Sequence, residues 1–208
     1  ASGSSISGGS ASSHIIGPLR KTGNTAFTFM IGNGTNIAKI AISAPSSSST
    51  FEAEYKKQAY SDVTNKATAL STISSMEYWT LNRVSGSGNC RVTLHWDDAD
   101  AHGINNLTDL VVSHYNSSTP EWENYGQSST TGGVGTGVAG SVTSSTTASS
   151  FSPFTFGSLT FSNPLPVEWL YFEAKETEGK VELEWSTATE INNDYFSIER
   201  SLNGIYFN

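Results

Sequence analysis

The stretch that decides the fold is MEYWTLNRVSGSGNCRVTLHW, residues 76–96. Its second end, CRVTLHW, alternates apolar and polar side chains, which is the two-residue period of a β-strand with one buried face, and its first end, MEYWTLNR, also predicts a strand. In the second end, one face carries Cys90, Val92, Leu94 and Trp96. The glycine-rich SGSGN between them predicts a turn. We therefore expect a β-hairpin with a loop of about five residues.

The same rhythm continues on both sides of this stretch. Strand-like segments recur about every 8–12 residues, with Gly, Ser, Asn and Pro between them, and this spacing is typical of a β-sandwich. No window sustains the 3.6-residue period of a helix. We therefore predict an all-β fold, with a β-sandwich of about nine or ten strands over residues 14–162. Residues 58–75 are polar and give no clear pattern.

The composition indicates where such a chain works and what it does not bind. Of the 208 residues, 36% are apolar and 14% charged, and abundant Ser, Thr, Gly and Asn favour an extracellular all-β protein. The formal net charge of −8 argues against a nucleic-acid partner, because that affinity comes mainly from neutralising phosphates. It argues equally against docking on anionic lipid. No apolar run is long enough to span a bilayer, so we expect no membrane insertion.

The composition changes after Asn163. Two prolines in the segment 163–167 predict a stiff, extended linker. Residues 168–208 carry many Glu and Lys and begin with alternating strands such as VELEW. They predict the first strands of an Ig/fibronectin-III-like sandwich, with Trp185 facing inward. The third strand is only begun, so we expect this domain to be truncated from a longer chain.

Four sequence words in this second unit carry a resemblance. They are PLPVE (164–168), FEA (172–174), WSTATEINND (185–194) and FSIERS (196–201). In this order they resemble a module common near the C-termini of large secreted proteins of the Bacteroidetes. There the module usually runs on for several strands, and a sorting domain of the type IX secretion system follows. The resemblance implies a secreted or cell-surface protein, on the exterior of the outer membrane, whose partner during export is the type IX translocon.

A second resemblance lies in the first unit. GPLRKTGNTAFTFMI (17–31), with the later Glu77-Tyr78-Trp79 strand, resembles an element that follows repetitive Ser/Gly/Thr-rich β segments and opens a β-sandwich in such proteins. From this likeness and its proximity to His14, we expect the Ser/Gly-rich lead-in, residues 1–13, to pair as a strand or to end a preceding β repeat. Neither resemblance brings a catalytic motif.

The most chemical-looking segment is the acidic loop after CRVTLHW. Counted from Asp98, oxygen-bearing side chains fall at the first, third, ninth and twelfth places of a calcium loop: Asp98, Asp100, Asn106 and Asp109. His102 stands where an oxygen ligand is expected, and strands flank the loop instead of helices. The alternative is a polar loop that caps its own backbone with Asp and Asn. We expect no cofactor, and name Ca²⁺ as the metal if one binds.

Two histidines in neighbouring predicted strands, His95 and His114, suggest a zinc alternative. They could meet across one sheet, and zinc would need a third ligand such as His102 or Asp97. We expect both to face solvent, on the side opposite to apolar neighbours such as Val112. The structural interpretation, in which they bind nothing, is the one that we adopt.

Aromatic side chains offer a carbohydrate site, because sugars stack their C–H faces on flat rings. The candidates are Trp79, Trp96, Trp122, Tyr78, Tyr115 and Tyr125. Trp79 and Trp96 lie on apolar strand faces and are expected in the core. Trp122 and Tyr125 lie in a short polar strand beside a glycine-rich loop, so these two are the predicted carbohydrate-binding residues.

These observations favour a non-enzymatic structural or adhesion segment of a large cell-surface protein exported by the type IX system. The partners expected are the translocon, surface glycans or other cell-surface proteins. The alternative is a carbohydrate-binding accessory module of a secreted hydrolase. The only cysteine, Cys90, is expected to be a buried, inert thiol because it shares a strand face with core residues.

Overall fold

A computed structural model describes residues 9–10, 12–97, 102–134, 137–163, 169–177, 179–187, 198 and 201. Within them the chain forms β-strands and no helix that could cross a membrane. The strands are β1 (Ile15–Ile16), β2 (Leu19–Gly23), β3 (Phe27–Phe29), β4 (Ile31–Gly32), β5 (Ile40–Ile42), β6 (Ser49–Lys56), β7 (Thr72–Ile73), β8 (Tyr78–Ser85), β9 (Val92–Trp96), β10 (Leu110–Asn116), β11 (Glu121–Asn124), β12 (Ser129–Gly132), β13 (Gly140–Thr143), β14 (Phe154–Ser158), β15 (Trp169–Thr177) and β16 (Lys180–Thr187).

Two antiparallel sheets hold most of these strands. The seven-stranded sheet has the order β11-β10-β14-β8-β6-β2, with β7 beside β14, and the five-stranded sheet has the order β12-β13-β9-β5-β3. The predicted all-β class is confirmed. The two sheets contain seven plus five strands, twelve instead of the nine or ten predicted. β7 has only two residues and β12 is entirely polar or glycine, so neither carries the apolar alternation by which a strand is recognised.

The main core lies between these sheets and follows the strand alternation. In β6 every second side chain is buried, from Ser49 through Phe51 and Ala53 to Tyr55. The five-stranded sheet contributes rows of buried side chains such as Leu94, which pairs with Ile40 and Val142 on its neighbouring strands. Each such large apolar side chain stabilises the fold by about 1.5–3 kcal/mol when it leaves water.

The expected hairpin over residues 76–96 is wrong. β8 pairs with β6 and β14 in one sheet, whereas β9 pairs with β5 and β13 in the other. The connection therefore crosses from one sheet to the other as an arch. The Arg83 guanidinium holds this connection by donating to the Gly88 carbonyl and to Asn89 Oδ1, at 3.1 and 2.8 Å. Gly86 adopts a φ of +85° there, a conformation that glycine accepts without strain.

Residues 58–75, which gave no clear pattern, form a second apolar cluster on the outer side of the seven-stranded sheet. Its members are Val63, Leu70, Ile73, Val111 and Trp122. The segment runs along β11, where the Trp122 amide donates to the Asn65 carbonyl and the Ala67 amide donates to the Trp122 carbonyl, both at 2.9 Å. It therefore covers a sheet edge and a sheet face that would otherwise meet solvent.

The beginning of the chain is held by short pairings. Residues 1–8 and 11 of the expected β lead-in lie outside the described residues, and Ser10 and Ser13 form an antiparallel bridge. β1 then runs parallel to β4. His14 uses both ring nitrogens: Nδ1 lies 3.0 Å from the Ser10 carbonyl oxygen, and Nε2 accepts from the Gly34 amide at 3.0 Å.

The predicted linker, residues 163–167, does not begin at Asn163. Asn163 is fully buried and belongs to the packing of the sandwich, because its side chain bonds the loop at residues 105–106 and Ser158. Residues 164–168 lie outside the described residues. Beyond them β15 and β16 form an antiparallel pair in which Phe172 lies opposite Trp185. The Ig/fibronectin-III-like arrangement of this region stays a prediction.

Candidate functional site

The described half of the predicted calcium loop is used by the fold. Asp98 and Asp100 lie outside the described residues. Asn106 Nδ2 donates to Asp109 Oδ2 at 2.9 Å, and Asn106 Oδ1 accepts from the Thr108 amide at 2.9 Å. Asp109 Oδ2 also accepts from Thr160 Oγ1 at 2.6 Å. Asn106 and Asp109 thus make the backbone and side-chain caps of the polar-loop alternative. Among the described residues, no three His, Cys, Asp or Glu side chains are grouped to hold a metal.

The two histidines do not meet across one sheet, because β9 and β10 belong to different sheets. His95 lies on the outer face of the five-stranded sheet, where burial and then the charge of Lys39 lower its pKa to about 4. The expectation that His114 faces solvent is wrong: it is buried between the rings of Tyr125 and Phe154, with centroids at 4.9 and 4.8 Å. Val112 and His114 are two residues apart, so alternation places both inside.

Burial lowers the pKa of His114, and the Glu123 carboxylate, whose Oε2 lies 3.5 Å from His114 Nδ1, opposes that shift only in part. Neutral imidazole is therefore the form that the core favours.

The two predicted carbohydrate-binding residues are buried. Trp122 is 0% exposed and Tyr125 is 7% exposed, so neither ring presents a face to a sugar, and this prediction is wrong. Residues 58–75 cover Trp122, whose indole Nε1 donates to the Asp62 carbonyl at 2.6 Å. Trp79 and Trp96 are in the core, as the sequence predicted.

The structure instead places two half-buried tyrosines, Tyr60 and Tyr115, against Trp122, and a third, Tyr78, against Tyr60. Tyr60 lies 5.3 Å from Tyr78 and 4.9 Å from Tyr115 between ring centroids, and it meets Trp122 edge to face at 5.5 Å. We call Tyr60, Tyr78 and Tyr115 the tyrosine surface. Burial and the negative charge of Asp62 raise the pKa of Tyr115, so its hydroxyl stays a hydrogen-bond donor to a higher pH than that of an ordinary tyrosine.

A buried acid and histidine pair was missed by the sequence analysis. His102 Nδ1 lies 2.5 Å from Glu77 Oε1, and Tyr55 Oη donates to Glu77 Oε2 at 2.6 Å. Burial alone would lower the pKa of His102, but the hydrogen bond and charge of Glu77 outweigh it and raise the pKa. The signal was available, because Glu77 has the same parity as Trp79 and should therefore point inward.

This pair has the chemistry of a structural ion pair. Both Glu77 oxygens are engaged, and the side chains of Glu77 and His102 are 1% and 7% exposed. Asp97 Oδ1 lies 3.8 Å from His102 Nε2 on the far side of the ring. The arrangement orients the imidazole between two carboxylates and ties β6, the start of β8 and the segment after β9 together.

Comparison with protein-family models, curated proteins and solved structures gives no match for this chain.

Proposed function

We propose that this chain is a non-enzymatic structural and adhesion segment of a large cell-surface protein exported by the type IX secretion system. One observation carries the proposal: the side chains with the most catalytic character are used to hold the fold. Glu77 binds His102 and Tyr55 with its two oxygens, and Asp109 binds Asn106 and Thr160 with one of its oxygens. Groups engaged in this way position backbone and neighbouring strands.

The route of export is supported by the sequence words of residues 164–201, which resemble the module that precedes type IX sorting domains. Such a segment sits outside the outer membrane, where its partners are surface glycans or other cell-surface proteins. The acidic net charge of −8 keeps a surface of this kind soluble and well hydrated.

Localisation on intact cells tests the proposal. Antibodies against residues 14–162 should label the source bacterium without permeabilisation, and deletion of a type IX translocon component should abolish that label. A periplasmic protein of the same cell serves as the control that must stay unlabelled. Label that needs permeabilised cells, or that persists without the translocon, contradicts the proposed location and route.

An activity test addresses the non-enzymatic part. The purified chain should turn over none of a panel of polysaccharides and peptides. Turnover that disappears in Glu77→Gln, with folding verified by circular dichroism, would contradict the structural role given to that carboxylate.

A carbohydrate-binding accessory role is the second candidate, favoured by the tyrosine surface. Its half-buried rings offer edges and partial faces for the C–H groups of a sugar. Tyr78→Ala should lower the affinity for a bound neutral glycan about tenfold or more. Tyr171→Ala is the matched control, because Tyr171 is an exposed tyrosine on β15. Equal losses in the two variants, or no loss, would exclude the tyrosine surface as the binding site.

A further inference from the structure

The outer face of the five-stranded sheet carries a depression of about 470 Å³. Its floor is formed by side chains that alternate with core residues along β3, β5, β9 and β13: Thr28, Ala41, Thr93 and Thr143. Ser43 and Arg91 line one side. The size falls within the range of about 300–1,000 Å³ that is usual for small-ligand sites.

The floor of the depression presents hydroxyls and methyl groups side by side. Thr93 Oγ1 lies 2.9 Å from Thr143 Oγ1. One hydrogen joins the two oxygens, so the pair keeps one O–H donor and free lone pairs for a ligand. The threonine methyl groups and the Ala41 side chain supply apolar contacts beside them. A surface with this mixture matches the alternating O–H and C–H groups of a sugar ring.

The charge of this face differs from that of the chain as a whole. None of its five strands contains Asp or Glu, although the net charge is −8. The acidic side chains of the seven-stranded sheet lie in β6 and β11. Arg91 is exposed at the rim of the depression, and no hydrogen bond or ion pair of its guanidinium occurs in the described part of the chain. Lys39 adds a second positive charge beside His95.

We propose that this depression binds an acidic oligosaccharide, with a carboxylate or sulfate group on Arg91 and ring hydroxyls on Thr28, Thr93 and Thr143. Arginine suits this role, because its planar guanidinium donates two parallel hydrogen bonds to a carboxylate or sulfate. An acidic peptide is the weaker fit. A peptide strand would bind through backbone groups at a sheet edge. β3 offers such an edge at one end of the depression, but the central floor lies on β5 and β9, interior strands whose backbone groups already pair on both sides.

Such a site would serve the adhesive role proposed above. Its existence depends on neither the route of export nor the tyrosine surface, so a failed localisation test would leave it standing. Conversely, failure of the glycan test would leave the proposed cell-surface location and export route unchanged.

Glycan binding tests the proposal on the full 208-residue chain. The array holds uronate, sialylated and sulfated oligosaccharides beside neutral oligosaccharides of matched length, and hits are confirmed by calorimetry at two salt concentrations. We expect acidic members to bind and matched neutral members to bind at least about tenfold more weakly. Higher salt should weaken the binding, because part of the attraction is between exposed charges.

Matched variants locate the site. Arg91→Ala should lower the affinity for the acidic glycan at least about tenfold, whereas Arg20→Ala removes an exposed arginine of the other sheet and should leave it unchanged. Thr93→Val keeps the β-branched shape but removes the hydroxyl, and should weaken binding several-fold. Thr80→Val, on the seven-stranded sheet, is its control. Denaturation midpoints verify that each variant is folded.

Four results would overturn the proposal. They are a lack of preference for acidic over neutral glycans, binding that survives Arg91→Ala, an equal loss in Arg20→Ala, and, for an oligoglutamate peptide tested by the same calorimetry, tighter Arg91-dependent binding than that of any glycan on the array.

Discussion

Glu77 Oε1 lies 2.5 Å from His102 Nδ1, and both side chains are almost completely withdrawn from solvent. The pair joins the start of β8 to the segment after β9, at the end of the sandwich where the predicted calcium loop begins. Because the hydrogen bond and charge of Glu77 outweigh the effect of burial on the pKa of His102, the carboxylate decides the protonation of its neighbour. Removing one partner therefore leaves the other buried without its counterpart.

Glu77→Gln should destabilise the protein by about 3–5 kcal/mol, which is the usual cost of breaking a buried ion pair from one side. Urea denaturation measures the loss. Glu52→Gln is the control, because Glu52 pairs with Arg20 on an exposed sheet face and should cost less than about 1 kcal/mol. Similar losses of unfolding free energy in both variants would show that the buried Glu77 pair stabilises the fold no more than an exposed ion pair does.

The loss of stability as the pH falls below neutral should depend on His95. Its folded pKa of about 4 lies below the ordinary histidine pKa of 6.5, so the unfolded chain binds the proton more tightly. The His95 contribution is therefore complete above pH 6.5 and is lost as the pH falls toward 4. In His95→Gln, urea midpoints measured over this range should fall less steeply than in the wild type.

His102 should act in the opposite direction. Its pKa is raised, so its contribution is complete below the unfolded value and is lost as the pH rises through the folded value. In His102→Gln, the urea midpoint should therefore fall less steeply than in the wild type as the pH rises through the neutral and alkaline range. If His95→Gln and His102→Gln both changed the urea midpoint on the same side of neutral pH, the directions given for the two pKa shifts would be contradicted.

The sequence predicted strands better than it predicted their partners. The two-residue period places Cys90, Leu94 and Trp96 correctly in the core, because alternation depends only on local geometry. It does not say whether the next strand joins the same sheet, so the local pattern predicts a hairpin where the structure has an arch at Gly86. That choice depends on long-range pairs, such as those between β9 and β5, which no local pattern encodes.

The candidate site was harder to predict for a related reason. Trp122 looked exposed because its own strand is polar, and the cover comes from residues 58–75, which are distant in sequence. Asn163 looked like the first residue of a linker, but its amide side chain matches the backbone of residues 105–106. Glu77 could have been predicted, because it shares parity with Trp79 and Leu81.

Trp122→Ala should cost about 3–5 kcal/mol, as do most deletions of a large buried ring. Trp122→Phe keeps most of the apolar contact but leaves the Asp62 carbonyl without its indole donor, and should cost about 1–3 kcal/mol. Amide exchange should accelerate in residues 62–73 in both variants. Tyr171→Ala is the control and should change neither stability nor exchange there. Unchanged exchange would mean that the second cluster does not hold this segment.

Asn163→Ala should release the loop that follows the acidic segment. The Asn163 side chain accepts from the Asn105 and Asn106 amides at 2.7 Å each, and it donates to the Asn106 carbonyl and to Ser158 Oγ. Leaving these buried groups unpaired should cost about 2–4 kcal/mol. Nuclear magnetic resonance should show faster exchange at the two amides. Asn82→Ala, at an exposed position of β8, is the control and should lose less than about 0.5 kcal/mol.

Cys90 provides a chemical reporter for all of these changes. Its thiol is buried, and burial raises its pKa to about 12, with the charge of Arg83 opposing that rise only in part. The thiolate is the nucleophile, and at pH 8 such a pKa leaves about one thiol in ten thousand ionised.

Iodoacetamide should therefore modify the native protein far more slowly than the urea-unfolded chain, by a factor of about 1,000 or more. The native rate should rise in Glu77→Gln and Asn163→Ala by about tenfold for each 1.4 kcal/mol of lost stability, because labelling then proceeds through the opened state. Arg83→Gln distinguishes an effect on the thiol pKa from an effect on opening of the structure. It removes the opposing charge, so native labelling should not accelerate unless the connection between β8 and β9 opens. Native labelling within about tenfold of the unfolded rate would show that the segment carrying Cys90 is not held in the core.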